Sequence, residues 1–148
     1  MVHSLRKAQN RLEWATILPI IDGAGFAVIE VTVQARLGWV KPIWDPSLPY
    51  LVGMFIVLST PWAYWRNFWL WLYSTTIAFW SEDAFYWVFA WEPPHSWGFY
   101  IVWHGMPLLY ILAAALVSLS LTMYMRGEIV ITKKGSAYKG VFKSWLDE

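Results

Sequence analysis

Four residues of this 148-residue chain could act together as acids, bases or metal ligands: Glu30, Glu82, Asp83 and His104. Carboxylate oxygens with one imidazole suit Mg, Mn, Fe or Zn better than Cu(I). Asp22 stands eight residues before Glu30, a little over two helical turns, so Asp22, Phe26, Glu30 and Gln34 share one helix face. Most of these acids lie in apolar sequence, "FAVIEVTVQARLGWV" around Glu30 and "AFWSEDAFYWVF" around Glu82 and Asp83. An ionised side chain in hydrocarbon costs roughly 2.5–3.5 kcal/mol on insertion scales. Acids in such segments therefore turn toward a bundle interior and find partners there.

One imidazolium cannot neutralise three carboxylates. Either protons are shared among the acids or a divalent cation sits between them. The metal reading makes Glu30, Glu82, Asp83 and His104 the ligands. It also makes Glu30 and Glu82 the candidate catalytic groups, with the metal as Lewis acid. Trp-rich walls suit a lipophilic substrate. Asp22 is a further polar interior residue, and "DGAG" (22–25) supplies small residues that let a second helix approach closely. Each residue also has a local explanation. Ser81 could cap a helix whose first turn holds Glu82 and Asp83, Glu30 could pair with Arg36 or Lys41, and His104 could bond a carbonyl freed by Pro107.

The elements that must position these groups follow from composition. The chain is 58% hydrophobic and 14% charged, against about 45–50% and about 25% for soluble domains. Its mean hydropathy is +0.41. Thirteen Trp, eight Tyr and eight Phe exceed what a small core absorbs and suit membrane–water interfaces. These features predict an all-α integral membrane protein of the cell membrane, multi-pass, built as a four-helix transmembrane bundle.

The expected spans run from about Leu12 to Ala35, Tyr50 to Trp65, Phe68 to Trp91 and Phe99 to Met125. Between them lie a Pro- and Trp-rich interfacial loop at 36–49, a turn at Arg66-Asn67, and "EPPHSWG", where two prolines forbid helix continuation. Pro107 is expected to bend the fourth span near its start. Arg6, Lys7 and Arg11 before the first span, and Arg126, Lys133, Lys134, Lys139 and Lys143 around and beyond the end of the last, place both termini in the cytoplasm. Residues 1–126 form the transmembrane domain. Residues 127–148 form a cytoplasmic tail, with a short segment able to lie on the membrane surface. Counting helical rise inward from the span ends brings Glu30, Glu82, Asp83 and His104 to a similar depth in the outer half, with Asp22 deeper.

The leading functional reading is thus an outer-half carboxylate/histidine cluster that binds a divalent metal and acts on a lipophilic substrate. Two others stand beside it: an accessory or structural subunit of a larger membrane complex, and a small proton-coupled transporter of a cationic substrate. The expected partners are the bilayer and either further copies of the chain or a larger membrane complex. A net charge of +1 argues against nucleic acid as a partner, and the absence of Cys excludes thiolate metal sites and disulfides. Nucleotide and haem are not expected: there is no Walker loop and no facing histidine pair.

Overall fold

The computed structural model describes residues 2–37, 48–94, 96 and 100–146. Residues 38–47 of the expected interfacial loop, and His95, lie outside the described residues. Four α-helices make up most of the described chain: α1 (Val2–Leu37), α2 (Leu48–Ser59), α3 (Phe68–Ala90) and α4 (Leu109–Leu146). A 3-10 helix at Thr60–Trp65 extends α2. A small antiparallel hairpin, β1 (Val102–Trp103) with β2 (Met106–Pro107), precedes α4.

Local chemistry sets the boundaries. Arg66 turns the chain in the left-handed region (φ 50°), and Asn67 then caps α3 by accepting from the Leu70 amide at 3.0 Å. At the other end of α3, Trp91 adopts a left-handed conformation (φ 57°), and Pro93 and Pro94 follow. Both turns fall where the polar pair and the prolines predict them.

The packing register follows from named contacts. Ser74 Oγ donates to the Ala15 carbonyl at 3.0 Å, and Thr16 Oγ1 lies 2.9 Å from Tyr73 Oη. Further along both helices Gly23 lies against Ala78, Ser81 and Glu82, and Ala27 packs with Tyr86 and Trp87. Positions rise together, so α1 and α3 run parallel. Ala15, Pro19, Gly23 and Ala27 recur every four residues along α1 and are all buried. Their small bulk is what lets α3 close on this stripe.

α4 runs antiparallel to α3. Tyr124, Val117 and Leu121 pack with Leu70, Tyr73 and Ile77, while the Trp80 and Tyr110 rings are 5.9 Å apart. α2 is also antiparallel to α3: Trp71 Nε1 donates to the Ser59 carbonyl at 3.0 Å, and the Phe55 and Phe79 rings are 6.1 Å apart. The helices thus alternate in direction. One end of the bundle is built from Leu12, Ala15, Leu70, Tyr73, Tyr124 and Met125, and exposed Arg11, Arg66 and Arg126 flank it.

Among the described residues two helices are long and apolar enough to cross a membrane: Arg6–Val33, with mean hydropathy 1.7, and Leu109–Gly127, with 1.5. Only 17% and 11% of these stretches are buried, whereas the core helix of a soluble protein is mostly covered. Their exposed residues include Ile21, Ile29, Ile111 and Leu112. The helical architecture agrees with expectation, but among the described residues two such spans are found and not four. α2 has 12 residues, and α3, although 23 residues long, is diluted by Trp, Tyr, Ser and Thr.

Two boundaries differ from the sequence reading. The fourth helix begins at Leu109 rather than Phe99, because residues 102–107 form the hairpin. Proline disfavours helical geometry in the residue before it, here Met106, and Gly105 takes a φ of 78°. At the other end, α4 runs past Met125, where the expected span stops, through Gly127 to Leu146. A single helical glycine costs about 1 kcal/mol and does not by itself stop a helix.

Candidate functional site

The α1–α3 seam carries the acids. Gly23 is the closest approach: a Cβ built there would lie 2.7 Å from the Glu82 amide nitrogen and 2.9 Å from Ser81 Cβ, with the Ala78 carbonyl oxygen closer still. Glycine is required at that position. Gly25 has open space around it and contributes nothing to the approach. The packing glycine of "DGAG" is therefore Gly23, and its neighbour Asp22 is brought to the same seam.

One turn of α3 above Ala78, the Glu82 side chain is buried, 6% exposed, and makes a side-chain hydrogen bond with Glu30 of α1. A hydrogen bond between two carboxyl groups needs a proton on one of them, because an ionised carboxylate only accepts. Asp83 takes a different environment. Successive residues on a helix point about 100° apart, so its carboxylate turns away from that of Glu82, toward the hairpin and α4. Tyr100 Oη donates to Asp83 Oδ2 at 2.6 Å, and Trp87 Nε1 donates to Tyr100 Oη at 3.0 Å. The Trp87 and Tyr110 side chains also lie beside the Asp83 carboxylate. The two adjacent acids thus serve two separate networks, one acid-to-acid and one acid-to-aromatic. Burial, together with the Asp83 carboxylate beside it, pushes the Tyr100 phenol above its usual value.

His104 joins neither network. It occupies the two-residue hairpin turn with Gly105, both with positive φ (48° and 78°), as a type I′ turn demands. The residue is exposed, and its ring stands edge-on to Trp103 with centroids 4.8 Å apart.

This arrangement corrects the metal reading. Among the described residues no three His, Asp or Glu side chains form a group that could hold a metal ion. The divergence of Glu82 from Asp83, and the place of His104 in the hairpin turn, are the physical reasons. Glu30, Glu82, Asp83 and His104 therefore do not make the divalent metal centre expected of them, and metal-assisted chemistry on a lipophilic substrate loses its site.

Asp22 is partly exposed, and its Oδ2 atom is buried without a hydrogen-bond partner. The sequence reading missed Trp87, Tyr100 and Tyr110. Trp87 was findable, because it lies four residues after Asp83 and so shares its helix face. Tyr100 and Tyr110 come from a separate hairpin and helix, and no spacing rule ties them to Asp83.

Comparison with models of protein families, with curated proteins and with solved structures finds no match.

Proposed function

We propose that this chain is a four-crossing membrane protein whose Glu30–Glu82 pair takes up and releases a proton within the bundle. The observation that carries the reading is the hydrogen bond between these two carboxyl groups, with Glu82 sealed in the α1–α3 seam. A shared proton removes one of two like charges and supplies the donor that the bond needs. Proton exchange needs neither a metal nor a third ligand.

Helix lengths support the crossings. α2 and its 3-10 extension together reach about 30 Å, the thickness of a bilayer's hydrocarbon core, and α3 reaches about 34 Å. Alternating helix directions put Arg11, Arg66 and Arg126 at one end, which the positive-inside rule assigns to the cytoplasm with both termini. The acid pair then lies in the outer half, and the exposed apolar residues of α1 and α4 meet lipid.

Infrared difference spectroscopy of the protein in lipid nanodiscs tests the pair. A protonated carboxyl band is expected at neutral pH; it should disappear in Glu82→Gln and shift in frequency in Glu30→Gln, where the carboxyl partner is replaced by an amide. Persistence of the unshifted band in both variants, or its absence from the unmodified protein, refutes the shared proton.

A further inference from the structure

Below the acid pair, the junction of α1, α3 and the 3-10 helix contains a second set of polar atoms, distinct from Glu30, Glu82 and Asp83. Asp22 Oδ2, Trp62 Nε1, Trp65 Nε1 and Thr75 Oγ1 are all buried without a hydrogen-bond partner. Trp62 and Thr75 are more than nine-tenths covered, at 6% and 4% exposure. Leaving a buried donor or acceptor unsatisfied costs about 1–3 kcal/mol each, so four in one region call for a common explanation.

The register brings them together. Leu58, Trp62 and Ala78 form one buried cluster, against which Phe26 and Trp65 pack. Asp22 lies one turn before Phe26 on the same face of α1, and Thr75 lies one turn before Ala78 on α3. Gly23, next to Asp22, touches Ala78 itself. Side chains three apart on a 3-10 helix eclipse, so Trp62 and Trp65 stand on one side of theirs.

The chemistry of the set is complementary. Two indole N–H groups donate only, the Asp22 oxygen accepts, and the Thr75 hydroxyl does either. A water molecule accepts from an indole while donating to a carboxylate and a hydroxyl, and buried waters typically make two to four such bonds.

We propose that this junction is a water-binding site, in which Asp22, Trp62 and Thr75 hold at least one ordered water, with Trp65 at its lower edge. The site is independent of the proton reading for Glu30 and Glu82. It makes Asp22 a solvated acid inside the bundle, held by water and not by another side chain.

Water-to-protein magnetisation transfer in deuterated nanodiscs reads the site directly. Trp62→Phe identifies the Trp62 indole signal. Trp71, whose indole donates to the Ser59 carbonyl, serves as the dry control. A cross-peak from water to the Trp62 indole proton is expected, with none to Trp71, and it should be lost in Asp22→Leu or in Thr75→Val. No cross-peak at Trp62 in the unmodified protein overturns the proposal. So does a cross-peak unchanged in both variants.

Discussion

The Ser74 hydroxyl stands in for a backbone amide at the Ala15 carbonyl. Pro19 lies four residues after Ala15 inside α1 and has no N–H, so the Ala15 oxygen loses its regular helical donor. Ser74 Oγ of α3 fills the place at 3.0 Å. A proline that would weaken an isolated helix is thereby turned into a specific contact between two helices.

That substitution of one donor for another is directly testable. Ser74→Ala should destabilise the protein by about 1–3 kcal/mol, the cost of an orphaned buried acceptor. In a Pro19→Ala background the helix supplies its own amide, and the loss on Ser74→Ala should shrink by about 1 kcal/mol. Unfolding titrations of the four proteins of this cycle measure the coupling. Strict additivity would show that Ser74 does not serve the carbonyl that Pro19 leaves open.

The two glycines of α1 should respond oppositely to alanine. Gly23→Ala forces a methyl against the α3 backbone and should cost about 1–3 kcal/mol. Gly25→Ala meets nothing within 4 Å and should be neutral or stabilising by up to about 1 kcal/mol, from helix propensity. Thermal melts in one detergent compare them. Equal effects would mean that the closest approach of α1 and α3 is not at Gly23.

Tyr100 predicts an alkaline limit to stability. Its phenol titrates above the usual value of about 10 in the folded protein, through burial and then through the Asp83 hydrogen bond and charge. The folded state therefore keeps a proton that the unfolded chain has released. The resulting stabilisation is complete below about pH 10 and is lost as pH rises from there toward the folded value. Melting temperature should fall from about pH 10 upward. The fall should be shallower in Tyr100→Phe, which at neutral pH also loses the hydrogen bond to Asp83. Identical alkaline slopes would remove Tyr100 as the cause.

The chain lacks cysteine, so single cysteines report topology unambiguously. Glu92→Cys lies beyond the end of α3, and Asn10→Cys lies near the start of α1; both positions are exposed. An impermeant maleimide applied to intact cells should label the first and spare the second until the membrane is opened. Labelling of both, or of Asn10→Cys alone, would contradict the four-crossing arrangement.

How far the sequence could be read depended on whether a signal was local. Arg66-Asn67 and Pro93-Pro94 mark helix ends through their own backbone preferences, and the turns are there. The small residues after Asp22 announced a close helix contact, although only Gly23 makes it. The hairpin was missed because "YIVWHGMP" was read as membrane helix with a proline bend. Its aromatic and β-branched run before a glycine-containing pair is equally a hairpin signature. That error carried His104 into the membrane and into the metal set. Glu82 and Asp83 are grouped with Glu30 and His104 by depth, which helical rise supplies, but depth does not say toward which neighbour each side chain turns. Whether Glu82 finds Glu30, and Asp83 finds Tyr100, depends on tertiary register that no single-chain periodicity contains.

The parallel pairing of α1 with α3 has a consequence in time. Glu30 and Glu82 are 52 residues apart, and α2 is made between them. At a synthesis rate of roughly 5–20 residues per second, Glu30 is made about 3–10 s before Glu82 exists. For that interval α1 carries Asp22 and Glu30 with the seam open on one side. The newborn chain is thus most exposed to misassembly and proteolysis before α3 arrives, and a ribosomal pause between α2 and α3 would prolong that exposure.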